Sequence, residues 1–142
     1  MDKNIENPLV SIILPAYNVE PFVKIAINSV LNQTYKNFEL IVIDDGSKDE
    51  TITQIKSISD SRIRFEKNES NIGIQKTLNK GLRLSNGYYI ARIDGDDEWT
   101  DLDKIKKQIL FLEKNKEYIL IGTGAICINE KGDYLYKYLK PK

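Results

Sequence analysis

A chain of 142 residues with 21 basic and 21 acidic side chains, a formal net charge of zero and 41% hydrophobic residues fits one soluble domain, and its charge balance gives no sign of a global field for nucleic acid or membrane. With no histidine there is no Ser-His-Asp or Cys-His machinery, and acid or base work falls to carboxylates. One cysteine, Cys127, cannot close an intramolecular disulfide, so a reducing, cytoplasmic compartment is expected.

Residues 1–8 read as a flexible lead-in, and residues 9–142 as one domain. Residues 9–14 (LVSIIL) are apolar and β-branched, the pattern of a strand covered on both faces, and they stop at Pro15. Pro21 then suits the first turn of a helix with Phe22, Ile25, Ala26, Ser29 and Val30 on one side. The unit repeats. Residues 38–43 (FELIVI) form a second buried strand running into Asp44-Asp45-Gly46-Ser47, and Ser47 with Glu50 has the spacing of a capping box ahead of Ile52, Ile55 and Ile58. Residues 62–66 alternate and carry charge, as an edge strand does. Asn71-Ile72-Gly73 opens a helix through Leu84, with Ile74, Leu78 and Leu82 four apart.

A fourth strand, residues 88–93, breaks into Asp94, Asp96 and Asp97. Clustered carboxylates repel one another unless a cation is present, and in a histidine-free chain oxygen ligands favour Mg²⁺ or Mn²⁺ together with a phosphorylated ligand. Taken alone, the same Asp-Gly-Asp-Asp is equally a turn before a helix. Arg92 shares a strand face with Asp94 and can pair with it. Trp99 reads as a core or lid aromatic, and Asp44 as a turn carboxylate. Leu102, Ile105, Ile109 and Leu112 mark an amphipathic helix, with Lys104, Lys106 and Lys107 on its solvated face. Residues 118–128 and 134–139 form a hairpin about Asn129–Asp133.

Alternating strands and helices predict an α/β fold with a mainly parallel sheet flanked by helices. In such sheets ligands bind beyond the carboxyl ends of the strands, where residues 15–18, 44–47 and 94–97 would share one crevice. No P-loop and no Gly-x-Gly-x-x-Gly stretch is present. A metal-assisted nucleotide site is the leading reading. A binding module without turnover and a receiver-type phosphoacceptor domain stand as alternatives.

The succession VSIILPAYN, FELIVIDDGSKDET, NIGIQKTLNKGL and YYIARIDGDDEW resembles the amino-terminal half of a family 2 glycosyltransferase with the GT-A, Rossmann-like fold, over residues 9–128. The resemblance implies a hexosyltransferase, inverting in most members, that binds a nucleotide-diphosphate sugar, commonly a UDP-sugar, with Mn²⁺ or Mg²⁺. It implies a glycan or lipid-linked acceptor and a place in bacterial surface polysaccharide synthesis. The longest apolar stretch, residues 118–128, is interrupted by Gly122, Thr123 and Gly124 and is too short to span a bilayer, so no transmembrane segment and a cytoplasmic location, at most peripheral to the inner face of the membrane, are expected. By position, Pro15, Tyr17 and Asn18 would lie against the nucleoside, Asp45 would hydrogen-bond the base, and Lys76 would face the nucleotide. Asp94 and Asp96 match the Asp-x-Asp pair of the metal site, Asp96 as the direct ligand and Asp94 toward the ribose or the metal's water shell. Family members continue into an acceptor half that carries the catalytic base. The chain is therefore expected to be truncated before that half and to be inactive in isolation, and no catalytic residue is assigned.

Overall fold

The computed structural model describes residues 7–138. They form two compact units divided after Ile105, and each is taken by itself. Most of the expected lead-in, residues 1–6, and the last residue of the final expected strand, Leu139, lie outside the described residues.

The first unit is built on a four-stranded parallel sheet of β1 (Val10–Ala16), β2 (Phe38–Asp44), β3 (Ile63–Lys67) and β4 (Tyr89–Arg92) in the order β3-β2-β1-β4. Helices α1 (Val23–Leu31), α2 (Thr51–Lys56) and α3 (Ile74–Leu84) make the crossovers. The two unbroken apolar runs are the central pair, every β1 residue is buried, and the charged alternating run is an edge, as its pattern predicts. From β1 to β3 the chain steps one way, then returns across β1 to β4, so the switch point lies between β1 and β4. A receiver-type sheet has the order 2-1-3, which this topology excludes.

Right-handed crossovers put α3 on the opposite face from α1 and α2. The packing agrees: Leu78 and Leu84 of α3 lie on Ile13, Ile41 and Ile43, which share one face of β1 and β2. Gly81 makes that approach close, since a Cβ there would fall 2.5 Å from Ile13 Cγ2. Gly81→Val is therefore expected to overpack the core and cost about 3 kcal/mol, read as a lowered urea midpoint with an unchanged slope.

Pro15 sits near the end of a central strand, where proline is normally excluded. The register explains the exception. Ile93 N donates to Ile13 O, so Ile13 and Pro15 face β4, and paired residues there end at Ile13 with Arg92. Pro15 has no N–H to continue that ladder, and residues 94–97 leave the sheet at this point.

Three helix readings are corrected. The capping box does not form, because Ser47 Oγ instead accepts from Asn18 N at 3.0 Å, and α2 begins only at Thr51 with no side-chain cap. In α1, which starts two residues after Pro21, the buried side is Val23, Ala26, Ile27, Ser29 and Val30, while Ile25 is exposed. In α3 the inward face runs through Thr77, Leu78, Gly81 and Leu84, leaving Ile74 and Leu82 outside. The expected Ala26, Ser29 and Val30 of α1 and Leu78 of α3 do face inward, but flanking apolar residues on two sides of each helix drew Ile25, Ile74 and Leu82 into the expected stripes as well.

Trp99 is buried, its N–H donates to Ser29 Oγ, and Lys104 Nζ lies 4.8 Å from its ring centre. Lys104 is thus not simply solvated: burial pushes its ammonium below the ordinary lysine value.

The second unit holds most of α4 (Lys104–Lys114) and an antiparallel hairpin, β5 (Ala125–Ile128) with β6 (Tyr134–Tyr138). The hairpin is the predicted one, although residues 118–124 are not strand. Asn129 shapes the turn, its Oδ1 accepting from Lys131 N and Asp133 N.

Candidate functional site

The carboxyl ends of β1, β2 and β4 and the loop after β3 meet at one rim, and hydrogen bonds lace them together. Asn18, in the left-handed region at φ 50°, donates its N–H to Ser47 Oγ and accepts from Lys48 N through Oδ1 at 2.9 Å. Val19 N donates to Thr51 Oγ1 and Glu20 N to Asp49 Oδ2. These bonds tie the loop after β1 to the loop after β2. Asn18 therefore spends its side chain on the neighbouring loop.

Asp44 makes the turn its sequence suggested: Oδ2 accepts from Gly46 N and Ser47 N, each at 3.1 Å. Its residue is fully buried, and Oδ1 has no hydrogen-bond partner among the described residues.

Asp45 is 4% exposed and does more. Its N–H donates to Ala16 O at 2.8 Å, which anchors it at the end of β1. Its Oδ1 accepts from Asn68 Nδ2 at 2.9 Å and Ile72 N at 3.0 Å, and Oδ2 from Gly73 N at 2.9 Å. Thr77 adds a hydroxyl. Burial pushes the Asp45 carboxyl up, but the bonds from Ile72, Asn68, Thr77 and Gly73 together outweigh it and hold the group below its ordinary value. Four donors come close to the acceptor capacity of one carboxylate.

A glycine makes the same join possible. Gly46 has φ 77°, and a Cβ on it would lie 2.6 Å from Ser70 C and 2.7 Å from Asn71 N. The loop after β3 is thus pressed against the loop after β2, backbone to backbone.

Within this frame Pro15, Ala16, Tyr17, Asp45, Asn71, Ile74 and Thr77 line a cavity of about 150 Å³. Tyr17 keeps 43% of its surface exposed, so its ring is open to a ligand. Lys76 is exposed on the first turn of α3 and is not among the lining residues.

The acidic loop lies beside the cavity. Gly95, between Asp94 and Asp96, is buried against β1, where an added Cβ would be 3.2 Å from Pro15 O and 3.5 Å from Ala16 Cα. Ala16 therefore has Asp45 on one side and the Asp94-Gly95-Asp96 turn on the other. Arg92 clamps Asp94 in a two-point pair, Nε to Oδ1 at 2.8 Å and Nη2 to Oδ2 at 2.9 Å. Asp96 is exposed and no described group bonds its carboxylate. Partial burial, then the Asp94 and Asp96 charges, raise the Asp97 carboxyl above its ordinary value. Among the described residues no three acidic or cysteine side chains converge as a ready-made cage. Mg²⁺-type ions commonly use one or two carboxylates and take their remaining ligands from water and phosphates, so this donor set fits such an ion.

The structure brings Pro15, Tyr17, Asp45, Asp94 and Asp96 to one rim, and beside Asp45 it adds Asn68, Asn71 and Thr77, which sequence reading did not name as site residues. In the sequence Asn71 reads only as part of the opening of a helix, and Asn68 carries no reading. The signal available was Asn71-Ile72-Gly73 after an edge strand, with Gly73 at φ 89° turning two N–H groups toward a carboxylate.

The chain matches the family model "Glycosyl transferase family 2" over residues 11–141. A Haemophilus influenzae protein named as an uncharacterized glycosyltransferase is 42% identical over 130 residues, 87% of this chain and 39% of that protein. The Escherichia coli UDP-Glc:alpha-D-GlcNAc-diphosphoundecaprenol beta-1,3-glucosyltransferase WfgD is 41% identical over 121 residues, 85% of this chain and 47% of WfgD. The chain thus spans less than half the length of these relatives. Among solved structures, S. aureus TarS 1-349 in complex with UDP has a TM-score of 0.70 and 26% identity, over 75% of this chain and 32% of that 1-349 chain. The mannosyltransferase PcManGT from Pyrobaculum calidifontis, solved with GDP-Man and Mn²⁺, reaches a TM-score of 0.72 at 22% identity, over 89% of this chain and 37% of that one, a likeness of fold. No helix among the described residues is long and apolar enough to cross a membrane.

Proposed function

The chain belongs to glycosyl transferase family 2, with the GT-A fold, and from that premise we propose that it is the donor-binding part of a glycosyltransferase that takes a UDP-sugar with Mn²⁺ or Mg²⁺. The observation that carries the reading is the convergence on Ala16: a cavity walled by Pro15, Tyr17 and Asp45 on one side, and the Asp94–Asp96 turn on the other. The uridine preference is supported by the donor in WfgD's name and by the UDP bound to TarS.

In this reading Pro15 and Tyr17 lie against the base, Asp45 receives a ring N–H, and Asn18 acts by locking the two loops that shape the cavity. Lys76, one residue from Thr77 on an exposed face, reaches toward the phosphates. Asp96, with its carboxylate uncommitted, holds the metal directly, and Asp94, fixed by Arg92, faces the ribose or the metal's water shell. The bound ion supplies positive charge where the diphosphate leaves. No described residue is assigned as catalytic base. Inversion, transfer to a glycan or lipid-linked acceptor, surface polysaccharide synthesis and work at the cytoplasmic face of the membrane follow the family resemblance and WfgD's lipid-linked acceptor.

A calorimetric panel of UDP, CDP, GDP and ADP, each with and without Mn²⁺, tests this. UDP is expected to bind best and only with the metal. Equal heats for all four, or none, would count against it. A binding module that does not turn over is the second reading, since no described residue is assigned as catalytic base. Assaying UDP-sugar hydrolysis and transfer beside the titration separates the two.

A further inference from the structure

The acidic turn is tied down at both ends, and the second tie comes from α1. At its entrance Ile93 N donates to Ile13 O, and Gly95 is packed on Pro15 O and Ala16 Cα. Asp97 N donates to Asp94 O at 3.0 Å and closes the turn. At its exit Trp99 N donates to Ser29 Oγ at 3.1 Å, and Thr34 N, just beyond α1, donates to Leu102 O at 2.9 Å. The Ser29 hydroxyl gives its own proton to Ala26 O, which leaves its lone pairs turned to Trp99. Between these bonds stands Gln33, which is 0% exposed. Its Nε2 donates to Asp101 O at 2.9 Å and to Ser29 O at 3.3 Å, and its Oε1 accepts from Ile105 N at 3.2 Å. Two carbonyls and one N–H admit a single orientation of that amide, so α1 grips the segment after the turn in one fixed way.

Resting on the metal and nucleotide reading above, we propose that Ser29 and Gln33 are positioning residues: they fix the exit of the acidic turn on α1 and so hold the Asp96 carboxylate where the ion is taken. Asp94 is oriented directly, by its two-point pair with Arg92. Asp96 has no such side-chain partner among the described residues, so its placement comes through the backbone. Only Asp96, Asp97 and Glu98 lie between the packed Gly95 and the anchored Trp99, which leaves the Asp96 backbone little freedom while both ties hold. A ligand carboxylate already in place loses less conformational freedom when the ion arrives.

The 142-residue chain carries its own reporter, since buried Trp99 is its only tryptophan. Ser29→Ala removes the acceptor for Trp99 N, and Gln33→Met keeps the length of the side chain while removing its bonds to Asp101, Ser29 and Ile105. In both variants acrylamide quenching of Trp99 emission, measured without metal, is expected to rise, and the affinity for UDP with Mn²⁺ to fall about tenfold, as for a buried hydrogen bond lost. Ser29→Thr, which keeps the hydroxyl, is expected to restore both. Uridine has no phosphates to meet a metal, and it is expected to bind wild type and variants alike. A merely structural role would instead lower the melting temperature and weaken uridine and UDP together. An unchanged UDP affinity in Ser29→Ala and Gln33→Met, a loss shared equally by uridine, or no recovery in Ser29→Thr overturns the assignment. If Gln33→Met fails to fold, the two Ser29 variants decide alone. Absence of any UDP binding to the wild-type chain defeats the nucleotide reading and this one together, whereas UDP binding that Ser29→Ala leaves unmoved defeats this one alone.

Discussion

Asp96→Ala is expected to abolish the Mn²⁺-dependent part of UDP binding while leaving the melting temperature where it was. The two halves of that result come from one fact: the Asp96 carboxylate is exposed and bonded to nothing described, so the fold loses no contact when it goes. A metal that is held by one or two carboxylates and a diphosphate loses its main protein anchor, and a drop of at least roughly a hundredfold in UDP affinity with Mn²⁺ present follows from the strength of charge-to-ion contacts. Without Mn²⁺, wild type and variant should titrate alike. Asp94→Ala is the informative contrast, because it also frees Arg92 from a two-point pair and leaves a cation at the rim. Titration heats for Asp96→Ala that match the wild type with UDP and Mn²⁺ would remove the metal role from this turn.

The sheet was legible in the sequence because burial on both faces writes itself as an unbroken apolar run. Residues 9–14 and 38–43 announced the two central strands, the charges of residues 62–66 announced an edge, and the turn at residues 129–133 announced a hairpin. Helix faces were less legible. In α3 the true contact face depends on Gly81, whose missing side chain lets the helix approach Ile13, and a hydrophobicity pattern cannot register a residue that acts by having no side chain. The capping box between Ser47 and Glu50 failed for a related reason. Ser47 had a stronger tertiary partner in Asn18 N, twenty-nine residues away, and local spacing carries no trace of it. The rim residues followed from topology, since acidic loops after parallel strands must gather at one end of the sheet. What topology did not tell is how they are divided in labour. Asp94 is held by Arg92, Asp96 is left open, and Asp45 is consumed largely by its own protein.

That last point carries the second large effect. Asp45→Asn is expected to cost about 3 kcal/mol, a fall of roughly 10 °C in melting temperature, because turning one acceptor oxygen into an N–H₂ sets donor against donor in a buried cluster. On either placement of the new amide a donor loses its acceptor, Ile72 N and Asn68 Nδ2 in one case and Gly73 N in the other. The loss is predicted to depend on pH in a definite direction. The folded carboxyl is held below its ordinary value of 3.8, so its contribution is fully present above about pH 4 and disappears as pH falls through the lower folded value. Urea melts of wild type and variant should therefore differ most at about pH 7 and converge toward about pH 2. Asp60, which Arg62 holds at about 2, weakens both proteins in the same acid range and cancels in the difference. A gap that stays constant from about pH 7 to about pH 2 would mean that the ionised carboxylate is not what ties the loop after β3 to the sheet. In that case Asn71 would lose its fixed position beside Asp45, and the rim would be a set of loops that merely lie near one another.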